Sequence, residues 1–157
     1  MIHVNRYERV WLTFGFLMLA AFLATITVAA VVDGINPPSA GTTIDPTKVA
    51  DTAPFDKPGL RQTGPKAYEA YYVARVFSYT PAKISVPVGS HVTFYVTSPD
   101  VVHGFSIPLT DVNVMVVPGW VSSVAHTFQT PGTYLLLCNE YCGAGHQNME
   151  GQVEVTP

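Results

Sequence analysis

Both cysteines of the chain lie in one short stretch, Cys138-Asn139-Glu140-Tyr141-Cys142-Gly143-Ala144-Gly145-His146-Gln147-Asn148-Met149, together with a histidine and a methionine. Thiolate, imidazole and thioether are soft donors, the set that favours copper over hard cations. The stretch follows the apolar run Tyr134 to Leu137 and precedes the alternating run Gln152 to Val155. It reads as a glycine-bearing loop between two strands, with ligands projecting from a tight turn.

A second stretch, Ser98-Pro99-Asp100-Val101-Val102-His103-Gly104-Phe105, offers another imidazole. Taken alone, His103 is more simply a hydrogen-bonded core or surface residue. Its pairing with the later loop changes that reading, because a trigonal His₂Cys site with a weak axial Met is a single-copper electron-transfer arrangement. The loop holds one cysteine more than such a site needs. A second thiolate at Cys142 suggests two metals sharing two sulfurs, each with one histidine (His103, His146) and one weaker ligand, Met149 or a backbone carbonyl. Spreading one electron over both metals keeps geometric change small, and a loop that fixes the ligands in advance suits that task. Other uses stay open. A local Cys138–Cys142 disulfide leaves His146 and Met149 unexplained. Structural zinc sites use Cys and His without Met. Met149 by itself could be core filler, and Glu140 an ordinary loop carboxylate. His3, His91 and His126 have no supporting neighbours and read as structural or solvated.

The elements that must hold these residues are mostly strands. From Ala67 onward, Tyr68 to Phe77, Lys83 to Val88, Val92 to Val96, Val112 to Val116, Val121 to Phe128, Thr133 to Cys138 and Gln152 to Val155 are short β-prone runs. Pro118-Gly119 and Pro131-Gly132 mark turns between them. Short strands at this spacing predict a sandwich or barrel, and no helix of normal length is visible after Val32. Residues 33–66 carry six prolines (Pro37, Pro38, Pro46, Pro54, Pro58, Pro65) without an apolar period. They read as a connector lying over a neighbouring surface, with no core of its own. Before them, Val10 to Val32 is uncharged and dominated by Leu, Ala, Val, Phe and Ile, long enough for the about 20 residues that span a bilayer. Trp11 sits at the start of this span, where an interfacial ring belongs. Arg6 and Arg9 precede it and Asp33 follows, so the positive-inside bias predicts a cytoplasmic N-terminus, residues 1–9, with the remainder outside. A secretory signal peptide has an apolar region of about 7–15 residues. This one is longer, and a retained anchor is expected.

Charged residues make up 12% of the chain and the net charge is −3 with no basic cluster, which argues against nucleic acid as a partner. From Ala67 on there are two basic residues (Arg75, Lys83) against six acidic ones (Glu69, Asp100, Asp111, Glu140, Glu150, Glu154). Electrostatic steering of a partner should be weak, and a docking patch with much apolar surface near the loop is expected. Trp120 could dock a partner or pack. No acid, base or nucleophile arrangement suggests bond-making chemistry.

The loop resembles the dinuclear CuA motif of cytochrome c oxidase subunit II, Cys-x-Glu-x-Cys-x-x-x-His-x-x-Met, at Cys138, Glu140, Cys142, His146 and Met149. Val102-His103-Gly104-Phe105 is similar to the family's upstream histidine motif and Val117-Pro118-Gly119 to its Pro-Gly turn. The likeness covers roughly Tyr71 to Val155. It implies a cupredoxin-like Greek-key β-sandwich over residues 67–157, preceded by one transmembrane helix. It also implies two copper ions, bridged by Cys138 and Cys142 and bound terminally by His103 and His146. Met149 would be a weak ligand, and Glu140 a ligand through its backbone oxygen. The implied role is an electron-entry subunit of a terminal oxidase. It would take single electrons from cytochrome c or a similar small carrier and pass them to haem in subunit I, where oxygen is reduced to water. The single span and the wording of both motifs are most similar to the B family of haem–copper oxidases, anchored in the cell membrane among lipid. Met115 stands where relatives carry an acidic residue that helps bind magnesium at the subunit I interface, so magnesium stays open. Trp120 replaces the usual arginine, and Arg75-Val76-Phe77-Ser78-Tyr79 replaces the tryptophan-rich electron-entry segment. The alternatives are a membrane-anchored single-copper carrier and a copper chaperone or thiol oxidoreductase, the latter requiring alternating strands and helices.

Overall fold

A computed structural model describes residues 5–32 and 39–157, which fall into two units divided at Pro37/Pro38. The first unit is one helix, α1, Arg6–Val32. It begins one turn before the apolar run because Asn5 and Glu8 form a reciprocal cap. The Tyr7 amide donates to Asn5 Oδ1 and the Asn5 amide to Glu8 Oε2, both at 3.2 Å. Thr13, Thr25 and Thr27 each return their hydroxyl to the carbonyl four residues back, so these three hydroxyls are satisfied within the helix. None of its side chains is buried, and mean hydropathy reaches 2.4 over an 18-residue window. A helix apolar on every side is suited to lipid. Asp33, Pro37, Pro38 and His3 lie outside the described residues.

The second unit is a two-sheet sandwich. One sheet runs β1 (Ser39–Thr43), β9 (Trp120–Phe128), β6 (Ser90–Thr97), β3 (Ala67–Arg75) and β2 (Gly59–Gly64), with β4 (Ser78–Thr80) also on β3. The other runs β5 (Lys83–Pro87), β11 (Glu150–Thr156), β10 (Gly132–Leu137), β7 (His103–Ser106) and β8 (Asn113–Val116). Inward residues alternate along β6 (Val92, Phe94, Val96) and β11 (Val153, Val155), the period-2 pattern of half-buried strands. Between the sheets Tyr72, Phe94, Phe105 and Phe128 form the aromatic centre of the core. Beyond α1, the only helices among the described residues are two short 3₁₀ turns, Pro46–Asp51 and His146–Asn148. The alternation required of a thioredoxin-like protein is absent there.

Two expectations need correction. The described part of the proline-rich connector does lie over a neighbouring surface, but it is built into the sandwich rather than leading up to it. β1 pairs with β9 and β2 with β3, while Val49 and Phe55 bury themselves against Val73 and Val121 on the outer face of that sheet. Prolines hide an apolar period, so the sequence pattern showed no reason for burial. The run Tyr68 to Phe77 is also not one strand. β3 stops at Arg75, and β4 folds back with Ser78 opposite Arg75. Val76 and Phe77 form the turn, and the Val76 amide donates to Asp100 Oδ2 at 2.8 Å.

Candidate metal centre

The loop 138–149 leaves β10 and re-enters as β11, crossing one end of the sandwich. His103 opens β7, the strand that neighbours β10. This adjacency brings residues far apart in sequence to one point. Nitrogen of His103 and the sulfurs of Cys138 and Cys142 lie within 4.8 Å of one another, and all three residues are buried. The two sulfurs are 3.8 Å apart. His146 Nδ1 lies 3.6 Å and Met149 Sδ 3.8 Å from Cys142 Sγ. The carbonyl of Glu140 lies 3.2 Å from Cys138 Sγ. All six residues expected at the site therefore gather around two sulfurs. His91 bonds Thr127 and His126 bonds Asp111 instead, so neither belongs to the cluster.

The loop holds its shape through close backbone approaches. The amides of His146, Asn148 and Met149 each turn back to the carbonyl three residues earlier, presenting His146 and Met149 from one 3₁₀ turn. The edge of the Phe77 ring rests on Gly143 and Gly145, where an added Cβ would come to 3.1 Å and 2.5 Å from it. Gly143 also has φ +128°, a conformation side chains rarely adopt.

Asp100 is the main site residue that the spacing did not single out. Its Oδ1 accepts from His103 Nε2 at 2.9 Å and from the Val101 amide at 2.7 Å, and Ser98 donates to the same oxygen at 2.9 Å. Burial opposes its charge, but these bonds from His103, Val76, Val101 and Ser98 outweigh it and hold the carboxyl at about 2. With Nε2 thus committed, His103 Nδ1 is buried and has no hydrogen-bond partner. A buried imidazole nitrogen left empty beside two sulfurs, its other nitrogen fixed by a carboxylate, is the arrangement of a metal-ligating histidine. The donor set fits copper. Burial, and then the neighbouring Cys138 thiol, push the Cys142 thiol up to about 11 in the metal-free chain. A bound metal displaces such a proton outright. Met115, half-exposed on β8, offers no carboxylate.

The family model described as cytochrome C oxidase subunit II, periplasmic domain, matches residues 74–156. A cytochrome c oxidase subunit 2 of Thermus thermophilus is 45% identical over 153 residues, covering 95% of this chain and 91% of that protein. The Saccharomyces cerevisiae protein of the same name is 39% identical over 75 residues, 48% of this chain and 30% of its own length. A haem–copper terminal oxidase dimer solved by electron cryo-microscopy contains a chain that superposes with TM-score 0.80 at 35% identity. The match covers 96% of this chain and 99% of that one. The periplasmic domain of subunit II of the Bradyrhizobium japonicum cytochrome oxidase shares the fold at TM-score 0.52 and 19% identity, over 56% and 83% of the two chains.

Proposed function

The chain belongs to the cytochrome c oxidase subunit II family, and from that premise we propose that it is the electron-entry subunit of a haem–copper oxidase. It is a membrane-anchored oxidase subunit, working beside a haem-bearing subunit I. A copper pair held at the loop would take up and release single electrons. The observation that carries this reading is buried His103, with Nδ1 unpartnered and a ring nitrogen within 4.8 Å of the sulfurs of Cys138 and Cys142. Cys138, Cys142, His103 and His146 would hold the copper, with Met149 and the Glu140 carbonyl as weaker contacts, and copper there would supply a one-electron couple. Asp100 keeps His103 in the tautomer that leaves Nδ1 free to bind. Burial of His103, Cys138, Cys142 and Met149 keeps water from most of the site, which limits the reorganisation that accompanies electron transfer.

The donor is a small carrier such as cytochrome c, docking on a largely apolar face. Val76, Phe77, Val101, Val102 and Tyr141 are all exposed around the loop. The Val76 amide bonds Asp100, the Phe77 ring rests on Gly143 and Gly145, and the Tyr141 ring lies 5.9 Å from that of His146. These contacts tie the face directly to the ligands. Arg6 and Arg9, in the first turns of α1 ahead of its apolar run, support a cytoplasmic N-terminus, with the copper domain on the outer side of the cell membrane. Rapid mixing of the copper-loaded oxidase with a reduced haem carrier tests the reading. One electron should enter the copper signal before haem is reduced, with weak dependence on salt. Haem reduction that precedes the copper signal, or rates that fall steeply with salt, would contradict it.

A further inference from the structure

Tyr79, on β4, is 2% exposed and gives its hydroxyl proton to the Gly104 carbonyl at 2.5 Å. The same glycine, one residue after His103, directs its own amide at Cys138 Sγ at 3.4 Å. Strand pairing explains why both groups are available. The ladder between β7 and β10 consists of Leu137 opposite Ser106, after which Cys138 leaves the strand for the loop. Gly104 is left with an amide and a carbonyl that no strand pairs on that side, and the sulfur and the phenol take those places. Glycine is required there: a Cβ would come 1.9 Å from Asn139 Oδ1 and 2.6 Å from Asn139 N. Glycine is also the residue most free to rotate; the pairing of His103 with Val116 restrains the peptide on its amide side, and the Tyr79 bond restrains the peptide on its carbonyl side.

We propose that Tyr79 is a positioning residue for the copper centre: by gripping the Gly104 carbonyl it aims the Gly104 N–H at the Cys138 sulfur and so sets the reduction potential. The inference rests on Cys138 being a copper ligand. Hydrogen bonding around a cysteine ligand tunes a copper site's potential. The thiolates carry more negative charge when the metals are reduced, so a donor at the sulfur favours the reduced form and raises the potential.

The test uses the full chain, loaded with copper. Tyr79→Phe should keep the wild-type copper content while its reduction potential falls and its sulfur-to-copper absorption bands move. A purely structural tyrosine would change stability and leave both readouts in place. Full copper content with an unchanged potential therefore overturns the proposal, leaving the ligand assignment standing. A second measurement does not depend on the variant folding. With glycine ¹⁵N-labelled, electron–nuclear double resonance on the wild-type chain should show a glycine nitrogen coupled to the copper signal, and its absence also overturns the proposal. Cys138→Ser separates the two claims: the centre should be lost, and a centre retained removes the ligand assignment and this inference with it.

Discussion

Two segments of this chain look irregular by sequence, the proline-rich 39–66 and the loop 138–149, and they are ordered by opposite means. The first is held by apolar burial. Val49 is 1% and Phe55 5% exposed, and Phe55 meets Tyr71 edge-on at 5.8 Å while Tyr71 stacks on Tyr95 at 5.1 Å. Arg61 lies over the same Tyr71 ring at 4.9 Å. The second segment contributes two thiol sulfurs, a thioether, an imidazole and two glycines. Its sulfurs are buried at the end of the core and converge on one another. A segment that is satisfied by burial needs no ligand. One whose soft donors converge, with a buried imidazole nitrogen left empty, is built to be completed by metal.

That contrast can be broken at either end. The largest effect is expected from Cys142→Ser, which removes one of the two sulfurs proposed to bridge the metals. Copper content and electron entry should fall to near background, while the circular dichroism of the sandwich stays as it was, checked by metal analysis and donor-oxidation assay. Phe55→Ala should do the reverse. Truncating a buried Phe costs about 3–5 kcal/mol, read as a lower denaturant midpoint, with the copper spectrum of the folded fraction unchanged. Asp100→Ala leaves every copper ligand in place but frees His103. Outer-shell losses of this kind lower metal affinity about 10–100-fold, measurable by competition with a copper chelator. The smallest effect is one of pH. Tyr71 is pushed up to about 12 by burial and by its bond to Glu69. Because its folded value is the higher one, the unfolded chain releases the proton first, from about pH 10. The stabilisation is whole below pH 10 and is lost as pH climbs toward 12. Tyr71→Phe should make that alkaline slope shallower in equilibrium unfolding.

The same contrast explains what could be read from the sequence. The convergence of the loop's side chains was legible because soft donors at fixed spacing have few other uses, and that of His103 because its chemistry matched theirs. The sandwich followed from alternating Val, Tyr and Phe runs, and the span from an uncharged apolar stretch. Residues 39–66 were misread because their burial depends on isolated residues, Ile44, Val49 and Phe55, meeting the outer face of a sheet whose strands lie far along the chain. Asp100 and Tyr79 went unassigned for a related reason. Neither spacing nor residue type reveals a carboxylate that bonds a ligand's far nitrogen, or a phenol that bonds the backbone beside one. The short strands β4 and β7 were hidden by the turn at Val76-Phe77 and by the Gly-Phe after His103.

The central claim is that two sulfurs 3.8 Å apart, with the imidazoles of His103 and His146 beside them, hold a metal pair sharing one electron. Metal analysis with electron spin resonance on the full copper-loaded chain tests it most directly. The account predicts two coppers per chain and a single unpaired electron whose hyperfine pattern comes from two equivalent copper nuclei. One copper per chain, with hyperfine structure from a single nucleus, would contradict it.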